Sequence, residues 1–126
     1  MEIDYVRESS KTVNDLIFED KLKEKKYGIL TRVNVKEVME EKGIPFEREI
    51  VILGICNPHH AKKAILADER VAIFLPCTAV VYETDNGSRI RLAKPSMITG
   101  FFQNDELKEL GKVVEEDLIQ VIDISI

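Results

Sequence analysis

The stretch Gly54-Ile55-Cys56-Asn57-Pro58-His59-His60 has more capacity for chemistry than any other part of this sequence. It sets a thiol where a continuous apolar run gives way to residues that start a helix. The unpaired amides of a helix N-terminus carry partial positive charge, so Cys56 is expected to be favoured as a thiolate and reactive near neutral pH. The bland alternative is a small inert thiol filling the end of a sheet. A second thiol, Cys77, lies in Leu75-Pro76-Cys77-Thr78, again beside a strand end and next to a proline. If the strands carrying them are neighbours, both sulfurs face one cleft. Cys56 as nucleophile and Cys77 as resolving partner would then form a redox pair.

Cys56, His59, His60 and Cys77 offer two sulfur and two nitrogen ligands, a set that zinc accepts. Adjacent histidines on a helix point about 100° apart, however, so at most one of His59 and His60 joins Cys56. The histidines are weak ligand candidates, and no metal is assigned. The same helix N-terminus, with Lys62 and Lys63 one turn on, also suits an anion. No phosphate loop, glycine-rich nucleotide fingerprint, serine elbow or metalloprotease helix occurs, so the residues name no cofactor and no reaction.

The elements that must position these groups follow from punctuation and periodicity. Ser9 and Ser10 are candidate N-caps for a first helix towards Lys26, with Val13, Leu16, Ile17, Asp20 and Glu24 on one face. Phe18 and Leu22 make a second apolar ridge on that helix, which suits a contact with another subunit or the edge of a core. Gly28 ends it. Ile29 to Val33 reads as a strand, and Asn34 with Glu37 forms a capping box for a short helix that carries Val35, Val38 and Met39 and stops at Gly43. Ile50 to Ile55 reads as a central strand covered on both faces. Asn57 caps a helix from Pro58 to about Ala67, with Ala61, Ala64 and Ile65 inward. Val71 to Leu75 reads as a further buried strand. Thr78 to Glu83 and Arg89 to Ala93 flank Asp85-Asn86-Gly87 as an antiparallel hairpin. Asn104 and Asp105 open a last helix whose Leu107, Leu110, Val114, Leu118 and Val121 follow helical spacing.

The order implies an α+β (two-layer α/β) fold: a mixed sheet of about five to six strands with helices mainly on one face. At 126 residues, 44% hydrophobic and 33% charged, the chain reads as a single globular domain spanning residues 1 to 126. Its net charge of −5 gives no attraction for phosphate backbones, so nucleic acid is not an expected partner. The lysines at 21, 23, 25 and 26 alternate with Glu24 and adjoin Asp20, as on a solvated helix face. No apolar run approaches membrane-spanning length and no signal-peptide pattern opens the chain, so a cytoplasmic location with both thiols reduced is expected.

Taken together, Gly28-Ile29-Leu30-Thr31 with Val35-Lys36, Ile52-Leu53-Gly54-Ile55-Cys56-Asn57-Pro58, and Leu75-Pro76-Cys77 with Val80-Val81-Tyr82-Glu83 resemble the domain-of-unknown-function 302 family, nearly from end to end. The resemblance implies a small two-layer domain, often a stand-alone bacterial or archaeal protein, and a homodimer. It brings no activity with it. The family commonly has Asn after the second cysteine where this chain has Thr78, so no amide role is carried to that position.

Three readings follow. The leading one is a small-ligand-binding or sensing domain whose site comprises Cys56, Asn57, Pro58, Cys77 and Thr78, because open sheets bind ligands at strand ends. The others are a thiol-dependent redox enzyme using Cys56 and Cys77, and a structural or regulatory homodimeric subunit associating through Phe18 and Leu22.

Overall fold

The computed structural model of the chain describes residues 2–16 and 18–126. Ile17, expected on the inner face of the first helix, lies outside them. The elements, in chain order, are β1 (Asp4–Ser9), α1 (Glu19–Glu24), β2 (Gly28–Asn34), α2 (Val35–Glu41), β3 (Ile50–Cys56), α3 (Pro58–Ala67), a 3-10 helix (Glu69–Phe74), β4 (Cys77–Thr84), β5 (Gly87–Ala93), α4 (Pro95–Thr99) and α5 (Asp105–Ser125). The fold is α+β, with one five-stranded sheet in the order β1-β5-β4-β3-β2. Every pairing is antiparallel, so the mixed character expected of the sheet is absent.

Local chemistry accounts for most of these boundaries. Asn34 accepts from the Glu37 amide to start α2. Gly43, at φ 70°, ends it: its N–H reaches the Glu40 carbonyl and that of Ile44 reaches Met39, the two bonds of a Schellman motif. Asp85-Asn86 is a two-residue hairpin loop between Thr84 and Gly87, which are register partners. Asn104 accepts from Leu107 N–H to open α5.

Four expectations are corrected. The first helix does not begin at Ser9; that residue ends β1, an edge strand paired with β5 from Asp4↔Ala93 to Ser9↔Ser88. Its inward positions include Arg7, which ion-pairs with Asp123 of α5, so no apolar alternation announces it. Val71 to Leu75 is no strand, because β3 and β4 pair directly and leave no slot between them. Instead the Asp68 side chain caps the 3-10 helix by accepting from Arg70 N–H, and only Val71 of that helix is buried. Ile65 faces solvent rather than the core. Finally, Phe18 and Leu22 are 4% and 0% exposed and pack with Val13, Leu16 and Tyr27, so of the two readings of that ridge, subunit contact or core, the subunit contact is set aside and the ridge belongs to the chain's own core.

That core lies between one face of the sheet and α5. Leu53, Ile55, Ala79, Val81, Ile90 and Leu92 project from the strands against Leu118, Val121 and Ile122 of the helix. Each such valine, leucine or isoleucine contributes about 1.5–3 kcal/mol on burial. The opposite face of the sheet is open; Val6, Arg91, Val80, Ile52 and Val33 form one cross-strand row along it, with Val6, Ile52 and Val33 exposed. Among the described residues no helix is long and apolar enough to cross a membrane.

Candidate functional site

Cys56 and Cys77 meet at one end of the sheet. Cys77 opens β4 directly opposite Ile55, and Cys56, the next residue, closes β3 opposite Gly28. Register places the Cα atoms of Cys56 and Cys77 about 6 Å apart, the diagonal of a ladder with roughly 5 Å between opposed residues. Both are free thiols. They line a cavity of about 60 Å³ bounded by the sheet end, α3, α4 and α5.

Asn57 builds the junction. Its Oδ1 accepts from His59 N–H at 3.0 Å and His60 N–H at 3.2 Å, while its Nδ2 donates to the Lys25 carbonyl at 3.4 Å. The amide therefore caps α3 and ties it to the C-terminal end of α1. Pro58, at N1, and His59 both point to solvent.

His60 turns inward. Its ring lies 6.1 Å from that of Tyr27, and its Nε2 is 4.0 Å from Asp117 Oδ2, the oxygen that also accepts from Tyr27 Oη at 2.9 Å. Its Nδ1 is buried and has no partner among the described residues. Burial, reinforced by the Asp117 carboxylate, pushes the Tyr27 hydroxyl above its usual range, so it stays a neutral donor.

Of the two readings of Cys56, activated or inert, the thiols follow the inert one. Burial pushes Cys56 up rather than letting the helix N-terminus lower it. Burial, with a smaller contribution from Cys56, takes Cys77 up to about 11. Both are therefore protonated near neutral pH, and neither carries the activation that a nucleophile at a helix start was expected to have.

Of the residues expected in the site, Cys56, Asn57 and Cys77 line the cavity and Pro58 does not. Thr78 alternates to the opposite face of β4, where it borders a groove with Thr31, Gly54 and Pro76. The zinc set is not assembled: His59 is exposed, and no group of three or more His, Cys, Asp or Glu residues among those described is placed to hold a metal ion.

Tyr27, Asp117, Thr99 and Gly111 were missed. Asp117 was legible in principle, since it lies three residues after Val114 and four before Val121, on the apolar stripe of α5. Thr99 belongs to α4, a helix of five residues, too short for helical spacing to show in the sequence. A Cβ on Gly111 would come within 2.2 Å of Thr99 Oγ1, so the absence of a side chain there lets α4 and α5 close the cavity wall.

The architecture is that of a small two-layer α+β domain with an apolar cavity at the strand ends, walled in part by two protonated thiols. Its sequence matches the family model described as Domain of unknown function DUF302 over residues 5–124, and the chain belongs to that family. It is also similar to the crystal structure of the uncharacterized conserved protein DUF302 from Bacillus stearothermophilus, with a TM-score of 0.93, 32% sequence identity and 100% of both chains covered. No curated protein matches the chain.

Proposed function

We propose that the protein is a small-ligand-binding or sensing domain, with the ligand held in the cavity between Cys56, Cys77 and the inner faces of α3 and α5. One observation carries this reading. Thiols distant in sequence, a half-buried histidine and an engaged tyrosine converge on one apolar cavity at the sheet end, a concave and mostly apolar setting of the kind small-molecule sites share. Asn57 lines the same cavity and, through its bonds to the start of α3 and to the Lys25 carbonyl, holds the wall in place.

The test is a set of amide chemical shifts recorded under xenon pressure. Xenon is expected to move resonances around Tyr27, Cys56, Cys77 and Gly111. Ala64→Val, which adds two methyl groups to the buried α3 wall, should abolish those shifts. Shifts scattered over the surface, or unchanged in the Ala64→Val protein, would defeat the reading.

A further inference from the structure

The wall of the cavity has spent nearly all of its polarity. Tyr27 Oη donates to Asp117, the Asn57 amide serves the β3–α3 junction, and Thr99 Oγ1 donates to the Ser96 carbonyl at 3.4 Å. No Lys, Arg, Asp or Glu lines it. Asp117 is the charge engaged by the wall, held there by Tyr27 and His60. What the wall leaves for recognition is hydrocarbon, the thiols of Cys56 and Cys77 and, on His60, an uncharged surface with one Nδ1 that has no partner among the described residues.

An ion entering this space would shed its hydration shell and meet no counter-charge, a loss that dispersion contacts do not repay. A neutral molecule sheds much less. Size narrows the class further: about 60 Å³ is well under half of the roughly 150 Å³ that admits benzene in an engineered cavity. The Gly111–Thr99 contact blocks expansion towards α4.

We infer that the ligand is a small uncharged molecule of a few heavy atoms, seated against the sulfurs of Cys56 and Cys77, and not a carboxylate, phosphate or ammonium compound. This rests on the ligand-site reading above and names the chemistry that the site selects.

The two cysteines, the only ones in the chain, report on it directly. In the Cys56→Ser protein, Cys77 is the sole thiol and is treated at one pH with four alkylthiosulfonates. The methyl and propyl reagents are uncharged, the sulfonatoethyl reagent is an anion and the trimethylammonioethyl reagent is a cation. Each rate is divided by that of free mercaptoethanol, which cancels intrinsic reactivity, while the common pH fixes the ionised fraction.

The expected result is modification by the methyl and propyl reagents, with both charged reagents slower by about 100-fold. Charged reagents within about threefold of propyl would overturn the proposal, because the cavity would then admit ions. A propyl reagent as slow as the charged ones would overturn it too, since length and not charge would be read. If even the methyl reagent modifies Cys77 only after denaturation, the ligand-site reading falls with it. Peptide mapping of the same reactions in the two-thiol protein gives the Cys77 rates independently, should the serine variant fail to fold.

Discussion

Replacing Gly111 by alanine should destabilise the protein, although the same change inside an ordinary helix would stabilise it. Alanine gains about 1 kcal/mol over glycine in a helix interior. Against this, the new Cβ would lie 2.2 Å from Thr99 Oγ1, 2.9 Å from Thr99 Cγ2 and 3.1 Å from the Pro95 carbonyl oxygen. Thr99 is itself buried, and its β-branched side chain has few rotamers to retreat to. The Pro95 oxygen is backbone and moves only with α4. Overpacking of this kind costs about 1–3 kcal/mol, and more when backbone must shift, so the net loss is expected to be about 1–2 kcal/mol.

Urea unfolding followed by far-ultraviolet circular dichroism measures this, with a fall in Tm of about 4–8 °C as the thermal counterpart. Thr99→Ala removes the two nearest atoms. The double variant should therefore be more stable than the sum of the single effects, by about 1 kcal/mol. A Gly111→Ala protein about 1 kcal/mol more stable than the parent would mean that helix propensity alone governs the position, and the close α4–α5 contact would be refuted.

Cys77 makes stability fall at alkaline pH. Its thiol rises from 9.0 to about 11 on folding, so the folded protein keeps a proton that the unfolded chain releases. The associated stability is complete below about pH 9 and lost as pH rises through 11, an upper bound of about 2–3 kcal/mol that Cys77→Ala should flatten. Parallel pH profiles for the two proteins would refute it. Phe18→Lys places an ammonium in the core, and a stability loss of about 3 kcal/mol or more is expected in chemical unfolding. A variant of undiminished stability would show Phe18 to be a surface residue after all.

Legibility followed the range of the interaction. Caps and turns depend on a few neighbouring residues, so Asn34, Gly43, Asn57, Asp85-Asn86 and Asn104 marked their elements correctly. The helical spacing of α5 was equally clear, because its partner is a whole sheet face. Edge strand β1 was not, since Tyr5 and Arg7 spend their polar ends on Asp123 and the alternation never turns apolar. The run from Val71 to Leu75 has strand composition, yet strand identity needs a free ladder, and β4 already occupies the one beside β3. Phe18 and Leu22 left two readings open for a related reason: a continuous helix would have turned them away from Val13 and Leu16. The observed turn before Glu19 reorients the short α1 so that both ridges enter one core.

The site was half legible because its two halves obey different rules. Strand ends and a helix cap brought Cys56, Asn57 and Cys77 to one place, and sequence punctuation reports such junctions. Alternation then divides neighbours: Cys77 faces the cavity while Thr78, one residue on, faces the open side of the sheet. The other wall comes from α5, where Asp117 occupies an apolar stripe. A carboxylate is tolerable there only with a donor nearby, and Tyr27, brought in by the strand on the far side of β3, supplies it. The same bond that makes Asp117 acceptable also removes the Tyr27 hydroxyl from the cavity's recognition surface. Positioning the wall and engaging its only tyrosine hydroxyl are thus one structural act.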